Sequence, residues 1–342
     1  METVVRDFIV TLMLGEAVQV DGFALLALFP KEASTLDYIA LQTAIEAHSV
    51  KVREVSTSGT VGDILVSTLG SSPVLALDGE ELAGAKQNRI LNTTVLLEGG
   101  KDTVIPVSCT EHGRWSYTSD EFQASSSFAP PRVRENAKRA VNQALTENRG
   151  FRADQGEVWC NVSRLASDAG IDSPTGAMND VVKSRLPELE RMMAALPARA
   201  GQCGLLAIAH ERVLGFDVVS RPAVYAHLHE RLLRSYLLEP AAAATPSTSA
   251  HSTAEARQFL QAAMHAEERR YESVGLGEDY RYSGDTIVGS ALSHEGQLVH
   301  AAFFRVPPQE KARGEPGLQG YRTRMGFRAG MPFPGGSNTI ID

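Results

Sequence analysis

Long apolar runs are missing from this sequence. No window approaches the roughly 18 uninterrupted apolar residues that a membrane-crossing helix needs, so no such span is expected. The opening residues METVVRDFIVTLMLGEAVQV carry Glu2, Arg6 and Asp7 and lack a basic segment leading into an apolar core, so no signal peptide is expected there. Cysteine is scarce. Cys109, Cys160 and Cys203 are odd in number and widely spaced, which speaks against a disulfide framework and for a reducing, cytoplasmic setting. Basic charge is also short, with 33 lysines and arginines against 41 acids, a net charge of −8 that disfavours a general nucleic-acid binder.

Familiar site motifs are missing too. There is no GxxxxGK[ST] phosphate loop, no GxSxG elbow and no HExxH, and Gly275-Leu276-Gly277 lacks the third glycine of a dinucleotide fingerprint. Cys109 and His112 have ligand-like spacing, but no second pair completes a closed zinc site, so no metal residues are assigned and Cys109 is read as a packed thiol.

What is present is a soluble, globular composition in a chain of 342 residues, long enough for a substantial core. Helical spacing runs over Val4–Leu14, Leu36–Ala47, Pro131–Glu147, Val158–Ala169, Met178–Ala195, Arg221–Leu238 and Ala254–Tyr271. Strand-like runs fall at Phe23–Phe29, Val50–Val55, Val61–Leu69, Pro73–Leu77, Leu205–Ala209, Val213–Val219, Asp285–Leu292 and Gln297–Phe304. Strands, then helices, then strands again predict an α+β fold with a largely antiparallel sheet and a helical segment inserted between N-terminal and C-terminal strands. One domain is expected over 1–304: a strand-rich part (1–130), a mostly helical part (131–238), a linker or long loop (239–253), and a helix plus hairpin (254–304). Residues 305–342 read as a disordered tail, locally basic at Arg322, Arg324 and Arg328.

The chemistry concentrates between Leu77 and Tyr117. Gly99-Gly100 between Asn92–Leu97 and Thr103–Val107 predicts a tight hairpin. Counting back from that turn puts Val95 opposite Val104, Ile90 opposite Cys109, Asn88 opposite Glu111 and Gln87 opposite His112. A one-residue slip would flip these faces but keep both polar clusters within reach of each other. Pro106 argues for an edge or a bulge. Lys86, Arg89 and Arg114 are then candidate phosphate binders, Gln87 and Asn88 can meet hydroxyls or a base edge, and Trp115 is either a stacking platform or a core residue. Glu80, Glu81 and Glu111 are candidate acid/base groups or ligands for magnesium, with Asp78 a fourth carboxylate nearby. The plainer alternatives are an exposed Glu80-Glu81 turn and lysines and arginines that simply pair with these acids. Asp279–Tyr282 reads as an edge strand or as part of a site, and His300 as a satisfied sheet histidine.

GEELAGAKQNR (Gly79–Arg89) and IPVSCTEHGRW (Ile105–Trp115) closely resemble the ARG and rhodanese-phosphatase-superfamily-associated protein domain, where ARG denotes ADP-ribosylglycohydrolase. The likeness runs from the N-terminal helix to the hairpin near Phe304. That family often carries glutamine where this chain has His112, so no role is assigned to the histidine. The resemblance implies a ligand of ADP-ribose or NAD-derived type, a setting in NAD and ADP-ribose metabolism, and ADP-ribose-processing enzymes as partners. Three functions follow: a hydrolase on a nucleotide substrate, a non-catalytic nucleotide-binding or sensing module, and a structural or partner-binding protein with a buried ion network.

Overall fold

A computed structural model describes residues 3–239 and 249–307. The chain begins with α1 (Thr3–Thr11), β1 (Met13–Val20), β2 (Phe23–Phe29), β3 (Ile39–Ala40), α2 (Leu41–Glu46), β4 (Val50–Glu54) and β5 (Asp63–Thr68). It continues through β6 (Val74–Ala76), β7 (Glu80–Gly84), β8 (Arg89–Leu91), β9 (Val95–Leu97), β10 (Asp102–Cys109) and β11 (Phe122–Phe128). Four helices follow: α3 (Pro131–Thr146), α4 (Gln155–Asp168), α5 (Met178–Ser184) and α6 (Leu186–Ala194). Then come β12 (Gly204–Ala209), β13 (Arg212–Val219), α7 (Pro222–Leu237), α8 (Ser249–His265), β14 (Glu267–Glu272), β15 (Glu278–Ser283), β16 (Ile287–His294) and β17 (Gln297–Arg305). The fold is α+β and its sheets are mostly antiparallel.

Eight strands form the largest sheet, in the order β1-β2-β12-β13-β17-β16-β15-β14. Its strands come from both ends of the sequence, so the helical segment is an insertion into one sheet. β2 and β12 are apolar at nearly every position, as strands covered on both faces must be. One face carries α1 and α8 over Leu26, Phe216 and Phe303; the other carries α7 and its neighbours over Leu205, Val219 and Phe304. A six-stranded sheet, β11-β7-β8-β10-β5-β4, and a three-stranded one, β3-β6-β9, enclose a third core around Leu82, Val95 and Ile105.

Several sequence expectations need correction. The helix over Leu36–Ala47 is shorter, because Arg221 holds the carbonyl of Tyr38 at 2.8 Å and Ile39–Ala40 pairs with β6 before α2 starts. The first helix stops at Thr11, and Met13 already belongs to β1. Met178–Ala195 divides into α5 and α6 at Pro187, the interruption that this proline predicts, and the proline lies in the first turn of the second helix. Helix α8 starts inside the expected linker and ends at His265; Glu267–Glu272 instead ladders onto β15, so pairing overrides the helical pattern. The expected tail begins too early, because Arg305 still belongs to β17; residues 240–248 of the linker and 308–342 of the tail lie outside the described residues.

The largest correction concerns the Gly99-Gly100 hairpin. β9 pairs with β6, and β10 pairs with β5 along its first half and with β8 along its second. The turn is a wider loop clasped by Thr68, whose Oγ1 donates to the carbonyls of Glu98 (2.6 Å) and Lys101 (2.9 Å). Counting back from a two-residue loop therefore misses the register by one. Cys109 lies opposite Arg89, not Ile90, and the Thr110 N–H donates to the Asn88 carbonyl at 3.0 Å. Pro106 sits where β10 leaves β5 for β8, a place that needs no N–H from it.

Candidate functional site

Even with the slipped register, both polar ends of the Leu77–Tyr117 segment converge. They meet around the turn from Gly84 to Asn88, between β7 and β8. Arg114 builds that turn. Its Nε donates to Glu111 Oε2 at 2.9 Å, its Nη1 to the Ala85 carbonyl at 2.7 Å, and its Nη2 to Asn88 Oδ1 at 3.1 Å. Asn88 Oδ1 also accepts from the Gly84 N–H, and the Asn88 N–H donates to Glu111. Burial opposes ionisation of Glu111, but the bonds from Arg114, Thr175 and the Asn88 amide outweigh it and hold its pKa below the usual value.

Glu80 and Glu81 are neighbours on β7 and point to opposite faces, as successive strand residues do. Neither is an exposed turn residue; both are fully buried. Glu80 is held by Arg231 of α7, Nη1 to Oε1 at 2.5 Å. Glu81 accepts from Thr110 Oγ1 at 2.9 Å and from Ser125 Oγ at 2.6 Å. Burial dominates at Glu81 and raises its pKa to about 7 despite those two hydroxyls.

Arg89 is likewise sealed. Its Nη1 donates to Gln87 Oε1 at 3.0 Å and to Cys109 Sγ, and its Nη2 lies 3.5 Å from Glu54 Oε1. Cys109 is a packed thiol, pushed up to about 11 by burial with Arg89 working against the shift. His112 points elsewhere and meets Trp159 edge-on at 4.5 Å. Among the described residues no group of three or more His, Cys, Asp and Glu is gathered as a metal site.

Lys86 and Trp115 differ from the rest. Trp115 is not core: it is 47% exposed, as is Tyr117. The Lys86 ammonium stands 5.4 Å from the Trp115 ring centre and 5.1 Å from that of Tyr117. Among the described residues Lys86 forms no ion pair, whereas Arg89 is matched by Glu54 and Arg114 by Glu111.

A second polar centre lies between the large sheet and α3. Arg134 grips Asp217 through Nη1 (2.8 Å) and Nη2 (2.7 Å) and reaches Asp78 Oδ2 at 3.2 Å. Lys138 lies 2.9 Å from the same Asp78 oxygen and donates to Ser290 Oγ. His300 bridges Asp217 (3.2 Å) and Thr94 (2.9 Å), and Tyr236 donates to Asp217 at 2.7 Å. Arg281, Asp279 and Thr93 extend the network. Burial disfavours both Asp78 and Asp217 as anions, yet Arg134 above all, with Lys138 and His300 at Asp78 and His300 at Asp217, depresses their pKa values far below the carboxylate range. Burial outweighs the attraction of Asp78 at Lys138 and brings its pKa down to about 8. Gly79 is required here: its φ is +75°, and a Cβ would come within 2.6 Å of Arg134.

Of this centre, sequence reasoning noticed Asp78, His300 and the Asp279–Tyr282 segment, and missed Arg134, Lys138 and Asp217. The signal was there. Asp217 and His300 are lone polar residues inside apolar strands, and Arg134 and Lys138 lie one helical turn apart beside the apolar Val133, Ala137 and Val141. His300 is a satisfied sheet histidine, as expected.

The model of the ARG and Rhodanese-Phosphatase-superfamily-associated Protein domain matches residues 11–304 of the chain. No curated protein and no solved structure matches it. No helix among the described residues is long and apolar enough to cross a membrane.

Proposed function

The chain belongs to the ARG and Rhodanese-Phosphatase-superfamily-associated Protein domain family, one associated with ADP-ribosylglycohydrolase, and from this premise we propose that it binds a nucleotide of ADP-ribose type at the face made by Lys86, Trp115 and Tyr117. The observation that carries this reading is Lys86, a cation with no ion-pair partner among the described residues, set between two half-exposed aromatic rings. Such a group can take a phosphate while a ring takes the base. Gln87, Asn88, Arg89 and Arg114 shape the turn that presents it. Three unpaired cysteines suit a reducing compartment, and a cytoplasmic location goes with this reading.

The test is a melting-temperature screen against ADP-ribose, NAD and AMP, with and without magnesium. A ligand at 100 times its Kd adds about 2.7 kcal/mol to stability. Lys86→Met and Trp115→Ala should remove the shift. If no nucleotide raises the wild-type melting temperature, the reading falls.

A second reading, hydrolysis of such a ligand, is favoured by one observation. Glu81 and Glu111 have pKa values displaced in opposite directions, up to about 7 and downward. Paired carboxylates set apart in this way suit an acid and a base. Glu111, which accepts from the Asn88 amide two residues beyond Lys86, would be the base and Glu81 the protonated partner, while Glu80 is held by Arg231. Incubation with ADP-ribose, NAD and ADP-ribosylated protein should yield product on chromatography, and Glu111→Gln should abolish it while the fold persists. Absence of product from the wild type ends this reading and leaves binding intact.

A further inference from the structure

The segment VSTSGTVG, residues 55–62, joins β4 to β5 and lies over Arg89 and Cys109. It is attached in an unusual way. The body of the protein holds it almost entirely by its carbonyl oxygens. Lys86 Nζ donates to the Ser58 carbonyl at 2.5 Å, Arg89 Nη2 to that of Thr60 at 3.3 Å, and Tyr117 Oη to that of Thr57 at 3.3 Å. Cys109 Sγ reaches the Val61 carbonyl at 3.7 Å and Arg152 Nη1 that of Gly62 at 2.7 Å. The hydroxyls of Ser56, Ser58 and Thr60 instead bond within the loop or to Asp63. The loop thus supplies acceptor oxygens to the cations singled out as phosphate binders.

Beneath it, two buried polar atoms have no hydrogen-bond partner: Glu54 Oε2 and Arg89 Nε. Gly59 covers the first of them. Its φ is +74°, and a Cβ there would stand 3.1 Å from Lys86 Cδ, 3.4 Å from Glu54 Oε2 and 3.5 Å from the Trp115 ring. A closed loop seated on a lysine, an arginine, a carboxylate oxygen with spare capacity and an indole covers a set of groups that matches a ribose phosphate. The cations suit the phosphate, the carboxylate suits a sugar hydroxyl, and the ring suits a base.

We propose that residues 55–62 are a lid over a ribose-phosphate subsite formed by Lys86, Arg89 and Glu54, and that the lid's carbonyls hold the phosphate's place until a ligand displaces them. The inference rests on the nucleotide-binding reading and deepens it. A ligand must compete with the closed lid, so its apparent affinity is lowered by the fraction of molecules that are closed. Any change that strains only the closed form raises that affinity.

Gly59→Ala is such a change, because a left-handed alanine is strained in the closed loop and free to relax in the open one. The full chain and this variant are titrated calorimetrically with ADP-ribose and with inorganic pyrophosphate, and amide exchange is followed over 55–62. The variant should bind about five- to tenfold more tightly. Saturating ADP-ribose should speed exchange in the wild-type loop. Tyr117→Phe keeps the ring, removes the Thr57 latch and should give a smaller gain of the same sign. ADP-ribose binding with unchanged loop exchange and equal affinities overturns the lid and leaves the binding reading standing. Binding by Gly59→Ala alone supports both, and binding by neither protein sinks both.

Discussion

The two polar regions of this molecule use the same residue types to opposite ends. Around Asp78 and Asp217, charges from α3, β13, β15, β17 and the loop before β7 are sealed, at 4% exposure or less, and each carboxylate faces a cation. Around Glu111 the arginines are also matched, but among the described residues Lys86 has no carboxylate partner and instead donates to the Ser58 carbonyl beside exposed rings. In the first region the carboxylates and cations answer one another away from solvent. The second sets that lysine beside two rings and a loop supplying stand-in oxygens. The contrast separates a polar clamp that joins layers from a polar surface that awaits a partner.

The strongest way to break that contrast is to remove a partner from the sealed network. Asp217→Ala leaves Arg134, Tyr236 and His300 short of their shared acceptor. Removing one member of a buried ion pair costs about 3–5 kcal/mol, so a denaturant titration should show a loss of that size. The acid limb should show the same network. Asp78 and Asp217 have folded pKa values below their unfolded ones, so their stabilisation is complete above the ordinary carboxylate range and disappears as pH falls beneath about 4. Asp78→Asn should start less stable and lose less on acidification; parallel acid limbs for variant and wild type would contradict it.

A smaller effect of opposite sign belongs to Glu81. Its pKa is raised from 4.5 to about 7, so its contribution is complete below pH 4.5 and lost as pH rises through 7. Glu135, also raised to about 7, gives the same slope. The readout is therefore the difference between wild type and Glu81→Gln. The variant should gain relative stability between pH 5 and about 8, measured by urea titrations at each pH. No gain would mean that the carboxyl stays ionised and cannot serve as a proton donor.

Much of this was legible in the sequence, for physical reasons that can be named. Apolar periodicity revealed the hairpins β12–β13 and β16–β17 and the helices α3 and α7, because their burial is continuous. The clustering of Lys86–Arg89 with Cys109–Trp115 was legible through a turn signal whose detail was wrong: Thr68, thirty residues before Glu98, decides that loop. Long-range pairing also turned Glu267–Glu272 into a strand. The sealed network was hidden because each member sits alone in its own segment. Asp217 looks like a blemish in an apolar strand until Arg134 arrives from 83 residues away. Exposure was the other blind spot. Nothing local distinguishes the half-exposed Trp115 from a core tryptophan, since that depends on what folds over it.

The smallest stability effect is expected at Lys86, and it is the sharpest test of the comparison. Methionine retains most of the stem that packs beneath Gly59 and deletes only the ammonium. Among the described residues the ammonium has no ion-pair partner to strand; it gives up a solvent-exposed bond to the Ser58 carbonyl and an attraction to exposed rings worth about 0.5–1 kcal/mol. Lys86→Met should therefore melt within a few degrees of wild type, against the several kilocalories lost at Asp217. Its effect should appear in binding, as a loss of the ADP-ribose-induced melting shift. A variant as unstable as Asp217→Ala would show that Lys86 belongs to the internal scaffold. The division between a sealed clamp and an open surface would then disappear.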